Sequence, residues 1–449
     1  MVQPQTKNPH PPFQQITPMK NKLLHTLLLA VFAATALQAQ YTPSLGNLTA
    51  RQQFDQSRFG IFLHWGLYSM LGQGEWVMTD QGINNKEYAK LANAFYPHDF
   101  NAQEWVRAIK DSGARYITFT TRHHDGFSMW NTQQSDYKIT NTPYGKDIVA
   151  QLAQACKDNG IKLHLYYSHI DWTRNDYPSG RVGNNTGKDP SKADWASYYG
   201  FMNRQLTELL TDYGPIGAIW FDGMWDHEKD SIPFDWQLDK QYELIHRLQP
   251  NCLIGNNHHG TPHAGEDMQM FERDIPGENK AGMSGQEISR LPLETCETMN
   301  GMWGYRIYDK NYKSVLQLVQ LLVRTAGKGA NLLLNIGPQP DGKLPELALD
   351  RLKGIGRWLR ENGETIYATQ AGPAYTEDYV TTRRGDKIWL HILNASKDSA
   401  SIPSDRKIKE VREYKTRKAL PYTYKNSTLH ITGISPTDTT DHIIEITLK

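Results

Sequence analysis

Asp222 is the residue whose surroundings say most about chemistry. It ends the apolar run Ile219-Trp220-Phe221-Asp222-Gly223, where a buried strand stops and a glycine lets the chain turn. A carboxylate held rigidly at a strand end can attack an electrophilic carbon such as an acetal centre and form an ester intermediate. The plainer role is a cap on the helix that follows. Attack on an acetal calls for a second carboxyl group, kept protonated by its surroundings, to hand a proton to the departing oxygen. Candidates lie in the loop after the next strand, at Glu266, Asp267, Glu272, Asp274 and Glu278, and further on at Glu294. Most of them must be surface charges, and spacing alone does not choose. His64, His123, His124, His258, His259 and His263 fall at or near the ends of apolar runs. As neutral imidazoles they suit a pocket for a hydroxylated ligand. As metal ligands they lack any HxH or HExxH spacing. A G-x-S-x-G nucleophile elbow is also missing.

The elements that must position these groups alternate in type. Runs rich in β-branched and aromatic residues at 59–65, 116–121, 163–168, 217–221, 252–255 and 332–337 are separated by helical patterns. Ile148, Leu152 and Ala155 step at helical spacing and stop at Asn159-Gly160; Val315, Leu318, Val319 and Leu322 repeat in the same way. Asn101 with Glu104 three residues later reads as a helix cap. Such alternation predicts an α/β fold with parallel strands and crossover helices. No GxGxxG follows a strand, and polar residues crowd the C-terminal ends of many strands. Both point to a closed (β/α)8-like (TIM-type) barrel rather than an open sheet. After Gly372-Pro373 the period becomes two at 387–393 and 442–448, with a turn at Arg383-Arg384-Gly385-Asp386. This predicts a small C-terminal antiparallel β-sandwich of roughly five strands.

Composition sets the outer limits. The 449 residues carry 49 Lys+Arg against 48 Asp+Glu and a net charge of +1, which gives no basic field for nucleic acid. Cys156, Cys252 and Cys296 are far apart and form neither a disulfide framework nor a thiolate zinc site. Lys20-Asn21-Lys22, the apolar run 23–37 and the small residues Ala36 and Ala39 read as a secretory signal peptide starting at Met19 rather than Met1, with cleavage near Ala39. No other stretch is long and apolar enough to span a membrane. Removing residues 1–40 takes Lys7, Lys20 and Lys22 and no acid, moving the net charge from +1 to −2. The expected division is an upstream extension and leader at 1–40, a barrel at 41–370 and a sandwich at 371–449. The expected location is secreted or periplasmic.

Several runs together resemble glycoside hydrolase family 29, the α-L-fucosidases. They are Arg58-Phe59-Gly60-Ile61-Phe62-Leu63-His64-Trp65-Gly66, Gly74-Glu75-Trp76, His123-His124-Asp125-Gly126-Phe127 with Trp130, Tyr166-Tyr167-Ser168, Trp220-Phe221-Asp222-Gly223, Trp303-Gly304-Tyr305 and Asn331-Leu332-Leu333-Leu334-Asn335-Ile336-Gly337-Pro338. The resemblance spans residues 50–370 and implies a barrel with a C-terminal sandwich, no metal and no organic cofactor. It gives Asp222 the nucleophile position and lines a fucose pocket with His64, Glu75, Trp76, His123, His124, Tyr166 and Trp220, with Trp303 near the rim. The family's Thr-Pro-Glu acid motif is not kept. Glu272 stands first for the acid/base, with Glu294 and Asp267 as alternatives. The family's loop arginine is absent, and His258 and His259 stand nearby. The resemblance implies an exo-acting retaining α-L-fucosidase that removes terminal fucose from oligosaccharides or glycoconjugates. A fucose-binding protein without catalysis and a metal-dependent barrel hydrolase are the alternatives.

Overall fold

Side chains alternate between the two faces of a strand, and in this chain both faces of the main sheet are buried. The computed structural model describes residues 41–449; the expected leader, the cleavage point near Ala39 and the choice of Met1 or Met19 lie outside the described residues. Eight parallel strands form the sheet: β1 (Phe59–Leu63), β2 (Tyr116–Arg122), β3 (Lys162–Ser168), β4 (Ala218–Asp222), β5 (Leu253–Asn257), β6 (Gln269–Glu272), β7 (Leu293–Thr298) and β8 (Ala330–Ile336). Their order is β5-β4-β3-β2-β1-β8-β7-β6, so the sheet curls into a nearly closed barrel. Phe62, Tyr116, Tyr166, Trp220, Met270 and Leu333 meet inside as one buried cluster, which makes the interior a packed core rather than a pore. Their neighbours Ile61, Ile117, Leu165, Ile219 and Leu334 point outward into the larger cluster shared with the helices.

Helices Ala102–Asp111, Ile148–Asn159, Trp195–Thr211, Leu238–Leu248, Val315–Gly327 and Glu346–Asn362 follow β1, β2, β3, β4, β7 and β8. Their ends match the sequence signals: Asn101 accepts from the N–H groups of Gln103 and Glu104, and Gly160 takes the left-handed φ of 67° at the stop of the second. Among the described residues no helix follows β5 or β6. Here the eightfold alternation breaks, and long loops take the place of helices. Sequence reading found six of the eight strands. It missed β6 and β7, because Glu272, Glu294 and Glu297 interrupt the apolar pattern and β6 has only 4 residues. Glu272 and Glu294 therefore stand on strands and not in a loop.

β5 and β6 are the two ends of the strand order and share no ladder. Asp267 closes this seam. Its backbone N–H donates to the Ile254 carbonyl at 2.7 Å, and its Oδ2 accepts from the Ile254 N–H at 2.8 Å. Arg51 Nη2 donates to Oδ1 at 2.6 Å, and His246 Nε2 lies 2.9 Å from Oδ2. Arg51 belongs to helix Leu45–Asp55, whose Phe54 enters the inner cluster from below. Gly255 completes the seam: a Cβ there would sit 2.2 Å from Met270 Cε.

The antiparallel part contains eight strands rather than five: β9 (Gln370–Tyr375), β10 (Tyr379–Arg384), β11 (Lys387–Ile392), β12 (Ser399–Pro403), β13 (Ile408–Glu413), β14 (Tyr422–Lys425), β15 (Thr428–Thr432) and β16 (His442–Leu448). They form a five-stranded sheet, β13-β16-β11-β10-β9, and a three-stranded sheet, β12-β15-β14. Leu390, Ile444 and Ile446 of one face Ile402, Leu429 and Ile431 of the other. Val380, Trp389 and Ile443 turn the other way and join the core of the barrel helices.

The seam gives a direct expectation for Asp267. Asp267→Ala leaves Arg51 facing a buried gap and removes two closures of the barrel, so denaturant unfolding should show a loss of about 3–5 kcal/mol. A change under about 1 kcal/mol, the size of an ordinary substitution and not of a broken buried pair, would mean that the barrel does not depend on this carboxylate.

Candidate active site

The period of two that packs the barrel also builds the site. On β4, Trp220 faces inward and Asp222, two residues on, faces the same way at the strand's end. On β6, Met270 and Glu272 repeat this relation. At the C-terminal mouth these two carboxylates line a cavity of about 260 Å³ together with His64, Trp76, His123, His124, Tyr166, Trp220 and Trp303. The volume falls just below the range of roughly 300–1,000 Å³ common for drug-sized ligands, so it suits one small ring.

Asp222 is held by three donors. Tyr166 OH donates to Oδ2 at 2.9 Å, and the Gly223 N–H and Trp225 Nε1 donate to Oδ1 at 2.8 and 2.9 Å. Gly223 has φ 105°, a conformation that lets the chain fold back and bring Trp225 under the carboxylate. Burial pushes the Asp222 carboxyl up to about 6; the charge of Glu272 adds to this, and Trp225 and Tyr166 oppose it. His124 Nε2 stands 3.6 Å from Asp222 Oδ2.

Glu272 has a different environment. Asn257 Nδ2 donates to Oε2 at 2.7 Å, and His259 Nε2 lies 3.2 Å from the same oxygen. Burial pushes this carboxyl up, but His259, Asn257 and the Arg273 charge outweigh burial and hold it below the ordinary glutamate value. His259 shifts upward: burial lowers it, and the Glu272 bond and charge more than compensate.

The other three cavity histidines, His64, His123 and His124, are neutral. Burial takes His64 and His124 down to about 3 and holds His123 well below the ordinary imidazole value. Asn335 fixes the tautomer of His64: its amide donates to the Trp303 carbonyl at 2.7 Å, so its Oδ1 accepts from His64 Nδ1 at 2.6 Å. His64 Nε2 is then an acceptor. His123 lies flat on Tyr166 with ring centroids 5.4 Å apart, and its Nδ1 has no partner among the described residues. Buried polar atoms of this kind match the hydroxyl groups of a ligand.

The other named residues are placed elsewhere. Glu75 does not line the cavity; its Oε2 accepts from the Gly304 N–H at 2.7 Å and so holds the turn beside Trp303. Glu294 lies one inward-facing layer below Glu272, about 7 Å deeper by strand geometry. Tyr116 OH donates to its Oε2 at 2.6 Å and Trp220 Nε1 to its Oε1 at 2.9 Å. Burial raises Glu294 to about 7, against these two donors. Asp267 is at the seam already described. Sequence reading missed Arg181, Trp225, Asn257 and Met283 as lining residues and gave His259 no firm place. Asn257 and His259 carried a signal, since their polar run follows a strand; Arg181 and Met283 come from loops and carried none.

A larger hollow of about 850 Å³ opens at the opposite end of the barrel, beside Phe54, Tyr116 and His164. Asp212 is the single carboxylate among its lining residues, so it offers no paired acid chemistry. His258, His263 and Glu266 bring possible ligand atoms within 4.8 Å of one another. The Gly260 N–H donates to His258 Nδ1 at 3.1 Å, which puts the ring proton on Nε2, and that atom donates to Glu266 at 3.1 Å. A metal would need that nitrogen bare. The trio fits a hydrogen-bonded cluster, reinforced by Tyr242 OH on Glu266 at 3.0 Å, and does not fit a metal in this arrangement.

Known proteins resemble the chain along most of its length. A family model described as alpha-L-fucosidase matches residues 28–364. The chain is 31% identical over 379 residues to the plasma alpha-L-fucosidase of Rattus norvegicus, covering 77% of each chain. Among solved structures it is similar to alpha-L-fucosidase isoenzyme 1 from Paenibacillus thiaminolyticus, with 33% identity and a TM-score of 0.79 over 90% of this chain and 100% of that one. It is also similar to the Thermotoga maritima alpha-fucosidase in complex with a mechanism based inhibitor, at 27% identity and a TM-score of 0.71 over 91% of this chain and 100% of that one. The family match runs through every barrel strand: the chain belongs to the alpha-L-fucosidases, family 29 of the glycoside hydrolases.

Proposed function

We propose that the protein is an exo-acting, retaining α-L-fucosidase that releases terminal α-L-fucose from glycans by double displacement. One observation carries this reading: Asp222 and Glu272, 50 positions apart along the chain, line one small cavity and are held by different partners. In the first half-reaction Asp222 Oδ attacks the anomeric carbon. The glycosidic bond breaks, and Glu272 protonates the departing oxygen. In the second, Glu272 takes a proton from water, whose oxygen displaces Asp222 and frees the sugar.

The surroundings support these roles. Three donors on Asp222 orient it and stabilise the ester that must form and break. Above about pH 6 Asp222 is a carboxylate, as a nucleophile must be. Up to the raised pKa of His259, the His259–Glu272 pair carries one proton. Neutral His64, His123 and His124 suit ring hydroxyls, and Trp220 and Trp303 suit the apolar face and methyl group of a deoxy sugar. A cavity for one ring favours a chain end over an internal residue. The complex of the Thermotoga maritima relative with a mechanism based inhibitor accords with covalent chemistry in that protein. The apolar run 23–37 supports export to where glycans are met.

Three measurements test the assignment. Asp222→Gly should lose at least ~10³-fold in turnover of an aryl α-L-fucoside, and near-normal turnover would remove Asp222 from the mechanism. Glu272→Ala should regain turnover of an activated aryl fucoside when azide is added, giving the α-fucosyl azide by attack on the Asp222 ester. Rescue of Glu294→Ala instead would move the acid role one layer down. The acid limb of kcat/KM should bend near pH 6, where Asp222 takes up its proton, and fall about tenfold per pH unit below it. A profile flat down to pH 4 would contradict a nucleophile with a raised pKa.

A further inference from the structure

Glu272 is unusual in that both of its side-chain donors bind one oxygen. Asn257 Nδ2 at 2.7 Å and His259 Nε2 at 3.2 Å both meet Oε2, and Oε1 accepts no hydrogen bond from the described residues. Both donors come from across the seam where β5 and β6 share no ladder. Asn257 is the last residue of β5, and His259 follows two positions later. Side chains thus join the two strands at the mouth, as Asp267 joins them below.

The backbone around this contact is costly. His259 has φ 60°, and Arg273, directly after Glu272, has φ 59°. A side chain with a Cβ is sterically strained in this region, and such strain persists where the surroundings enforce it, often at functional sites. At His259 the strained turn aims an imidazole at Glu272 Oε2. The side chain is 20% exposed and lines the cavity. Charged groups facing it are Glu272, Asp222 and Glu228, all of them acids.

We propose that His259 is the positioning residue for the acid/base: with Asn257 it fixes Oε2 of Glu272 so that Oε1 faces the glycosidic oxygen and carries the proton that is transferred. The proposal rests on Glu272 as the acid. In the first half-reaction one proton passes from the pair to the departing oxygen while the bond from carbon to that oxygen breaks and the bond from carbon to Asp222 forms. The carboxylate left behind keeps its charge against two N–H donors. In the second half-reaction one proton returns from water to the pair. His259 touches neither the anomeric carbon nor the leaving oxygen and acts through Glu272. The imidazole also gives the clamp a charge that depends on pH, which an amide alone lacks.

Leaving-group dependence tests this, because a group that departs without a proton has no use for the acid. With the full chain, His259→Ala should lower kcat/KM on phenyl α-L-fucoside about 10²-fold and on α-L-fucosyl fluoride by no more than about threefold, acid catalysis being worth about 10²–10⁴. His259→Gln, whose amide can donate to the same oxygen, should recover most of the loss. Equal slowing of both substrates, or no slowing of either, would overturn the proposal. Glu272→Ala run alongside separates the two readings. If it shows the leaving-group dependence and His259→Ala does not, only the positioning role fails. If Glu272→Ala shows none, the acid assignment itself fails. Should the alanine chain not fold, histidine NMR decides: His259 should titrate above 6.5 in the wild type and fall below it in Glu272→Gln, and an unchanged value would overturn the pairing.

Discussion

Two carboxyl groups buried within reach of each other's charge are the constraint around which this molecule is arranged. A carboxylate loses much of its hydration when the chain closes over it, and an unpaired one simply takes up a proton. Asp222 shows this directly, with burial and the charge of Glu272 raising it to about 6. What keeps the pair usable is the unequal supply of donors. Tyr166, Gly223 and Trp225 serve Asp222, and Asn257 and His259 serve Glu272. One group is thus an anion in the neutral range, and the other shares a proton with an imidazole.

The barrel supplies the rigidity that this needs. Alternate residues of β4, β6 and β8 build layers, so Trp220, Met270 and Leu333 pack beneath the mouth while Asp222 and Glu272 stand above them. Glu294, two donors on its oxygens, is the polar part of the deeper layer. It ties Tyr116 of β2 to Trp220 of β4 and thereby sets the cavity floor. The seam between β5 and β6 is the weak point of the sheet, and the polar groups that close it, Asp267 below and the Asn257–Glu272 contact above, replace the missing ladder. The site and the closure of the fold share residues.

The sequence was most informative where pattern and function agree. The run ending at Asp222 is apolar, β-branched and followed by glycine, and its strand and its carboxylate were both visible. The same holds for His64, His123 and His124 at the ends of β1 and β2. Legibility failed where function overrides pattern. β6 and β7 carry inward-facing acids in place of apolar residues, so the alternation that marks a strand was lost there. Glu294 and Asp267 could not be separated from Glu272 by spacing, because the difference lies in depth and in partners: Tyr116 and Trp220 for one, Arg51 and His246 for the other. Loop residues such as Arg181 and Met283 reach the cavity only through tertiary folding. The antiparallel tail was undercounted because its shortest strand, β14, has only 4 residues, none of them buried.

Two displacements at one acetal by Asp222 and Glu272 require carboxyl groups about 5–5.5 Å apart rather than the wider gap of a single displacement. Proton NMR of the sugar at the first moments of hydrolysis reads this directly, before mutarotation mixes the anomers. With two displacements, α-L-fucose appears first. β-L-fucose as the first product would mean one inverting displacement and would rule out an ester on Asp222.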